Sequence, residues 1–110
     1  MALLMTPTRG RLVLAGELDL SSKAELAAAV DEAIALDLPI DIDARNVRFM
    51  DSSAVASLVA LAQRVVHPLR MIKPPDVVRF LLELTDLLEV VEILEEDPGL
   101  PPTAPATVNA

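Results

Sequence analysis

The residues most able to do chemistry are Asp51-Ser52-Ser53, a carboxylate followed by two hydroxyls where a strand-like apolar segment runs straight into a helix. A serine there can act as a nucleophile, accept a phosphate, or cap the helix. As a nucleophile it needs a base, and the sole histidine is His67. The apolar spacing between them predicts one helix of about 14 residues, so at 1.5 Å per residue the two lie on the order of 20 Å apart, where a nucleophile–base pair needs about 3 Å. A hydrolase is therefore the weakest reading, and no catalytic residue is assigned.

Two acidic groups could attract a cation. Asp41 and Asp43 alternate with Ile40, Ile42 and Ala44, and Asp37 precedes Pro39. This spacing predicts an exposed, solvated strand face and no metal site. Glu92, Glu95, Glu96 and Asp97 read as a solvated exit from the last strand that can steer the chain toward a basic partner. The only glycines are Gly10, Gly16 and Gly99, so neither a P-loop nor a dinucleotide fingerprint can be assembled, and no cofactor is expected.

Asp and Ser are the preferred helix N-caps, and capping alone would account for Asp51-Ser52-Ser53. One serine suffices for that, however, and with Ser53 available Ser52 is left free. A helix N-terminus also favours a phosphate through its unpaired N–H groups and positive dipole end. Ser53, Ser57, Ala60 and Arg64 recur at i, i+4, i+7 and i+11 as a thin, nearly uncharged stripe, open to a partner or covered by the domain itself.

These residues must be positioned by an alternation of strands and helices. Ala2–Met5 and Arg11–Ala15 flank Pro7 and Gly10 and predict a β-hairpin. Ser22 and Glu25 form a capping-box pattern ahead of Leu26, Val30, Ala33 and Ile34 on one helical face. Ile40–Ala44 predicts a strand, and Val55, Leu58, Val59, Ala62 and Val66 a second helix. Leu69–Ile72 is a short strand. Pro75 opens a third helix with Val77, Phe80, Leu81 and Leu84 on one face, and Val90, Val91 and Ile93 close with a strand. The order β-β-α-β-α-β-α-β implies an α/β domain with a mixed, mostly parallel sheet and an N-terminal hairpin. The expected domain covers residues 1–97. Residues 98–110, rich in proline and alanine and without a periodic apolar face, are expected to form a disordered tail.

Composition agrees. The chain has 110 residues, 53% of them hydrophobic but only 2% aromatic, so a single aliphatic core is expected. A formal charge of −8, with no Trp and no Tyr, argues against nucleic acid, which needs cations for phosphates and rings for stacking. The absence of cysteine excludes disulfides and thiolate chemistry and fits a reducing cytoplasm. No apolar run approaches the roughly 20 residues of a membrane span, and Met1–Met5 lacks the basic leader and the length of a signal peptide.

Gly16-Glu17-Leu18-Asp19, the capped helix after it, Phe49-Met50-Asp51-Ser52-Ser53, and Thr85-Asp86-Leu87-Leu88-Glu89-Val90-Val91 together resemble the STAS domain of bacterial anti-sigma-factor antagonists. The resemblance covers about residues 2 to 94. It implies a phosphorylation switch that is not itself an enzyme. Its partner is an anti-sigma factor that is a serine kinase and holds the ATP, with a serine phosphatase as a further partner. The unphosphorylated form binds the kinase and frees a sigma factor; phosphorylation of Ser52 abolishes binding. Asp19, Asp51, Ser53, Ala54 and Ser57 then shape the docking surface. The chain departs from the family at Ala54, where glycine is usual; alanine favours helix by about 1 kcal/mol. That departure favours the rival reading, a STAS subunit or scaffold that binds constitutively in a larger assembly such as a transporter or signalling complex.

Overall fold

The computed structural model describes residues 1–99, so most of the expected tail, residues 100–110, lies outside the described residues. Five strands and three helices follow the expected order: β1 (Ala2–Met5), β2 (Gly10–Leu18), α1 (Lys23–Leu36), β3 (Ile40–Met50), α2 (Ser52–Arg64), β4 (Leu69–Ile72), α3 (Asp76–Leu84) and β5 (Val91–Leu94). The sheet order is β1-β2-β3-β4-β5; β1 pairs antiparallel with β2 and every other pair is parallel. Parallel neighbours taken in sequence by right-handed crossovers place all three helices on one face of the sheet.

That face is the core. Leu12 and Leu14 of β2, Ile40, Ile42 and Ala44 of β3, and Leu69 and Met71 of β4 point into it. They meet Leu26 and Val30 of α1, Val55, Leu58 and Leu61 of α2, and Val78 and Leu82 of α3. β2 and β3 run longer than the apolar alternation suggested, because their far ends pair with each other through Leu18 and Met50. Register shifts between Val13 and Ala15 and between Gly16 and Glu17 bend the end of β2. Gly16 sits there at φ 76°, a left-handed conformation that suits glycine.

Three local expectations are overturned. Ser22 makes no side-chain cap at α1: its backbone is already helical, and its hydroxyl donates instead to the Glu17 carbonyl at 3.3 Å. A 3-10 turn, Leu20–Ser22, precedes α1, and Asp19 caps that turn by accepting from the Ser21 N–H. Pro75 lies just outside α3 with an extended backbone, and its carbonyl accepts from Val78 and Arg79. The expected apolar face of α3 is the outward one: Val77, Phe80 and Leu84 are exposed, the last two 59% and 64%, while Val78 and Leu82 are buried. The sequence Val77-Val78-Arg79-Phe80-Leu81-Leu82 is apolar on two sides, so spacing alone cannot choose between them.

The opposite face of the sheet overturns a fourth. Asp41 is 0% exposed and Asp43 is buried, not solvated. Register sets Arg11, Asp41, Arg70 and Glu92 side by side across β2 to β5. Arg70 donates to both Asp41 oxygens at 2.7 and 2.8 Å, and Arg9 reaches over to donate at 3.2 and 2.8 Å. Burial pushes the Asp41 carboxyl up, but the Arg70 and Arg9 guanidiniums outweigh it and hold the group below the usual range. Asp43 accepts from Arg45 at 3.0 Å. Asp97, expected at a solvated exit, accepts from Arg11 at 3.2 and 2.9 Å and pairs with Arg45, tying the segment after β5 back across this face.

Candidate functional site

The site is built where two parallel strands end together. Because Leu18 pairs with Met50, the next residues, Asp19 and Asp51, begin adjacent loops, and the Asp51 N–H donates to the Leu18 carbonyl at 3.0 Å. Asp51 turns the chain from extended backbone into α2 as its N-cap. One carboxylate oxygen, Oδ1, accepts from the Ser53 hydroxyl at 2.6 Å, the Ser53 N–H at 2.9 Å and the Ala54 N–H at 3.1 Å. The Ser53 hydroxyl first, and then these N–H groups, hold the Asp51 carboxyl below its ordinary pKa.

The capping role expected of Ser53 therefore falls to Asp51, and Ser53 has its hydroxyl committed to it. Ser52, the first residue of α2, is left exposed, and among the described residues its hydroxyl has no hydrogen-bond partner. Two N–H groups at this helix end are already filled by Asp51, so a phosphate on Ser52 would meet a carboxylate as well as the helix dipole.

The remaining residues of the expected surface separate. Asp19 is half-buried in the adjoining loop, beside the exposed Leu20. Ala54 is 2% exposed and belongs to the core, so its methyl offers nothing to a partner. Ser57 is half-buried, and its hydroxyl donates back to the Ser53 carbonyl at 3.2 Å. The stripe Ser53, Ser57, Ala60 is half-buried, and Arg64 at its end pairs with Asp31 of α1 at 3.6 Å. The domain thus shields the first three positions in part and leaves Arg64 exposed, between the two readings open for the stripe.

An open stripe does exist on α2, one residue earlier. Ser52, Ala56 and Gln63 are exposed and Val59 half-buried, at i, i+4, i+11 and i+7. With Val55, Leu81, Leu84 and Thr85, residues of this stripe line an apolar groove of about 410 Å³ between α2 and α3 that opens beside Ser52. Leu81 and Leu84 of α3, with Thr85 just beyond it, form its far wall; Val77 and Phe80 of the outward stripe do not line it. Sequence reasoning missed this groove, although the doubled apolar faces of α3 were its signal.

His67 follows α2 at the end opposite Ser52, and a helix of 13 residues spans about 20 Å, so the two do not meet. Among the described residues no group of three His, Asp or Glu side chains is placed to hold a metal ion, and no helix is long and apolar enough to cross a membrane.

Comparison with known proteins adds to this geometry. The model of the family described as "Mlab, STAS domain" matches residues 1–95. The anti-sigma factor antagonist SpoIIAA in its unphosphorylated form has 20% sequence identity and a TM-score of 0.71, over 87% of this chain and 88% of that one. An anti-sigma factor antagonist from Mycobacterium paratuberculosis has 18% identity and a TM-score of 0.77, over 86% and 83%. The Bacillus cell fate determinant SpoIIAA in its phosphorylated form has 22% identity and a TM-score of 0.69, over 86% and 91%. At these identities the likeness is one of fold. No curated protein matches the chain.

Proposed function

Because this chain belongs to the STAS domain family, we propose that it is an anti-sigma-factor antagonist, a cytoplasmic binding switch controlled by phosphorylation of Ser52. In this reading the unphosphorylated chain binds an anti-sigma factor that is a serine kinase, and the kinase supplies the ATP. A serine phosphatase restores the binding form. The observation that carries the reading is the division of labour at the start of α2: Asp51 and Ser53 make the cap, and Ser52 is left exposed and unengaged.

The physics of the switch follows from that division. Modifying Ser52 breaks no hydrogen bond of the described residues, so the domain keeps its fold. Phosphorylation adds about −1.5 to −2 charges beside the Asp51 carboxylate, at the mouth of an apolar groove. A partner that covers the mouth must desolvate that charge, at a cost of about 2 to 5 kcal/mol when it is left mispaired, or roughly 30- to 4,000-fold in affinity.

The test is to incubate the protein with ATP and the candidate kinases of its own cell, map any phosphoserine, and compare kinase binding by wild type, Ser52→Ala and Ser52→Glu. The switch requires phosphate on Ser52, persistent binding by Ser52→Ala and loss of binding by Ser52→Glu. A kinase that binds all three alike would instead support a constitutive STAS subunit or scaffold. The buried Ala54, which stiffens the turn where glycine is usual in the family, favours that second reading.

A further inference from the structure

We propose that the hollow where β2, β3 and β4 begin is a binding site for a small phosphate group, held by Arg9, Arg70 and His67. It is independent of the Ser52 switch, which lies at the opposite end of the sheet, where β2 and β3 stop.

Three loops converge on the hollow. Arg9 precedes β2, Pro39 precedes β3, and His67 and Pro68 precede β4; with Arg70 and Glu92 from the sheet they line a space of about 210 Å³. Pockets for drug-sized ligands run from about 300 to 1,000 Å³, so this one takes a small group and not a whole nucleotide. The loop that carries Arg9 is fixed in place. The Arg9 carbonyl accepts from the Thr6 N–H at 2.8 Å and from the Thr6 hydroxyl at 3.3 Å, and Thr6 is buried.

The hydrogen-bond donors say what the hollow binds. A guanidinium carries five N–H groups. Arg9 and Arg70 each spend two of them on Asp41, through Nε and Nη2, and donate to nothing else among the described residues. Each therefore keeps the edge formed by Nη1 and the second Nη2 hydrogen, a fork that fits an oxyanion. Exposure is lopsided in the same sense. Asp41 is sealed from water while both guanidiniums stay partly open, so a visitor meets the cations and not the carboxylate. Asp41 also holds the two side chains in place beforehand, which spares the ligand the entropy of ordering them.

Glu92 is the one acid in the lining, and among the described residues it forms no ion pair with either arginine. It weakens the attraction of the hollow without closing it. Two forks and the His67 imidazole, arriving from different strands and loops, suit the tetrahedral oxygens of a phosphate. A planar carboxylate is satisfied by a single fork.

The test is to titrate the isotope-labelled full chain with sodium phosphate at pH 7, with sodium chloride of equal ionic strength as control. Saturable amide shifts at Arg9, Gly10, His67 and Arg70 are expected with phosphate alone, with a Kd of about 1 mM or tighter. No saturation, the same shifts with chloride, or shifts centred on Arg11 and Arg45 would overturn the site. Methyl phosphate in a parallel titration separates the two sources of such a group: tighter binding than phosphate assigns the site to a phosphate ester, weaker binding to the free ion. Two variants then check the donors. Arg9→Lys keeps a cation beside Asp41 but loses the fork, and is expected to weaken phosphate about tenfold. Glu92→Gln, at an exposed position, removes the competing charge and is expected to tighten it about threefold. Unchanged affinity in both overturns the proposal even where phosphate binds. If circular dichroism shows that Arg9→Lys does not fold, Glu92→Gln decides: tighter binding supports the site, and unchanged binding sinks it. Every one of these outcomes leaves the Ser52 reading untouched.

Discussion

Asp51 performs two tasks with one oxygen. Its Oδ1 fixes the Ser53 hydroxyl and closes the first turn of α2, and in doing so it leaves Ser52 unencumbered. Asp51→Ala is expected to lower the melting temperature by a few degrees at pH 7, as loss of an N-cap does, whereas Ser52→Ala, which breaks no such bond, should stay close to wild type. The pKa of Asp51 is depressed in the fold, so its contribution is present above the ordinary carboxylate pKa and is lost as pH falls through the depressed value. Thermal melts of wild type and Asp51→Ala should therefore converge as pH drops below about 4. Equal spacing of the two curves down to pH 2 would contradict the assignment of Asp51 as the cap.

At the scale of elements, α3 is the informative helix. Its apolar residues fall on two faces, and the sheet takes the one bearing Val78 and Leu82. Leu82→Ala should cost about 2 to 5 kcal/mol in urea unfolding, and Leu84→Ala should stay within about 0.5 kcal/mol of wild type. The reverse order would mean that α3 is turned about its axis, and the groove would be lost with it. β2 offers a second test. Gly16 holds φ 76° at the bend that delivers Asp19 beside Asp51, so Gly16→Ala is expected to cost about 1 kcal/mol and to shift the amide resonances of Asp19 to Ser22.

Across the whole molecule, the sheet separates an aliphatic core from an ionic face. Asp41 carries the ionic face, with four hydrogen bonds from two guanidiniums. Removing it strands both cations. Since Arg9 and Arg70 remain 23% and 25% exposed and can partly rehydrate, Asp41→Ala should cost about 3 kcal/mol, the low end for breaking a buried pair. Asp97 works over a longer span. Its carboxyl is held well below the ordinary range, first by Arg11 and then by Arg45, and it draws the end of β5 back over β2 and β3. Asp41 and Asp97 both have lowered pKa values, so their contributions are complete near neutrality and decline only as pH falls below about 4. A urea midpoint that is flat from pH 7 to 5 and falls steeply toward pH 2 is the expected profile.

Local spacing in the sequence was enough to order the strands and helices, to make the sheet mostly parallel, and to leave the first serine after Asp51 free. The first and last depend on neighbours within a turn or a pleat, and the second on helices that force a crossover between successive strands. The tertiary structure alone decided which face of α3 is buried, that Ser53, Ser57 and Ala60 lie half-buried on the domain's own account, that Ala54 is core, and that Asp41 is sealed from water. Periodicity reports that a face is apolar, not what stands opposite it. The partners that settle these points are remote: Asp41 meets Arg70 and Arg9 across 29 and 32 residues, and Arg11 meets Asp97 across 86. A charge is cheap to bury only where such a partner has already been brought to it, and chain folding, not local sequence, does the bringing.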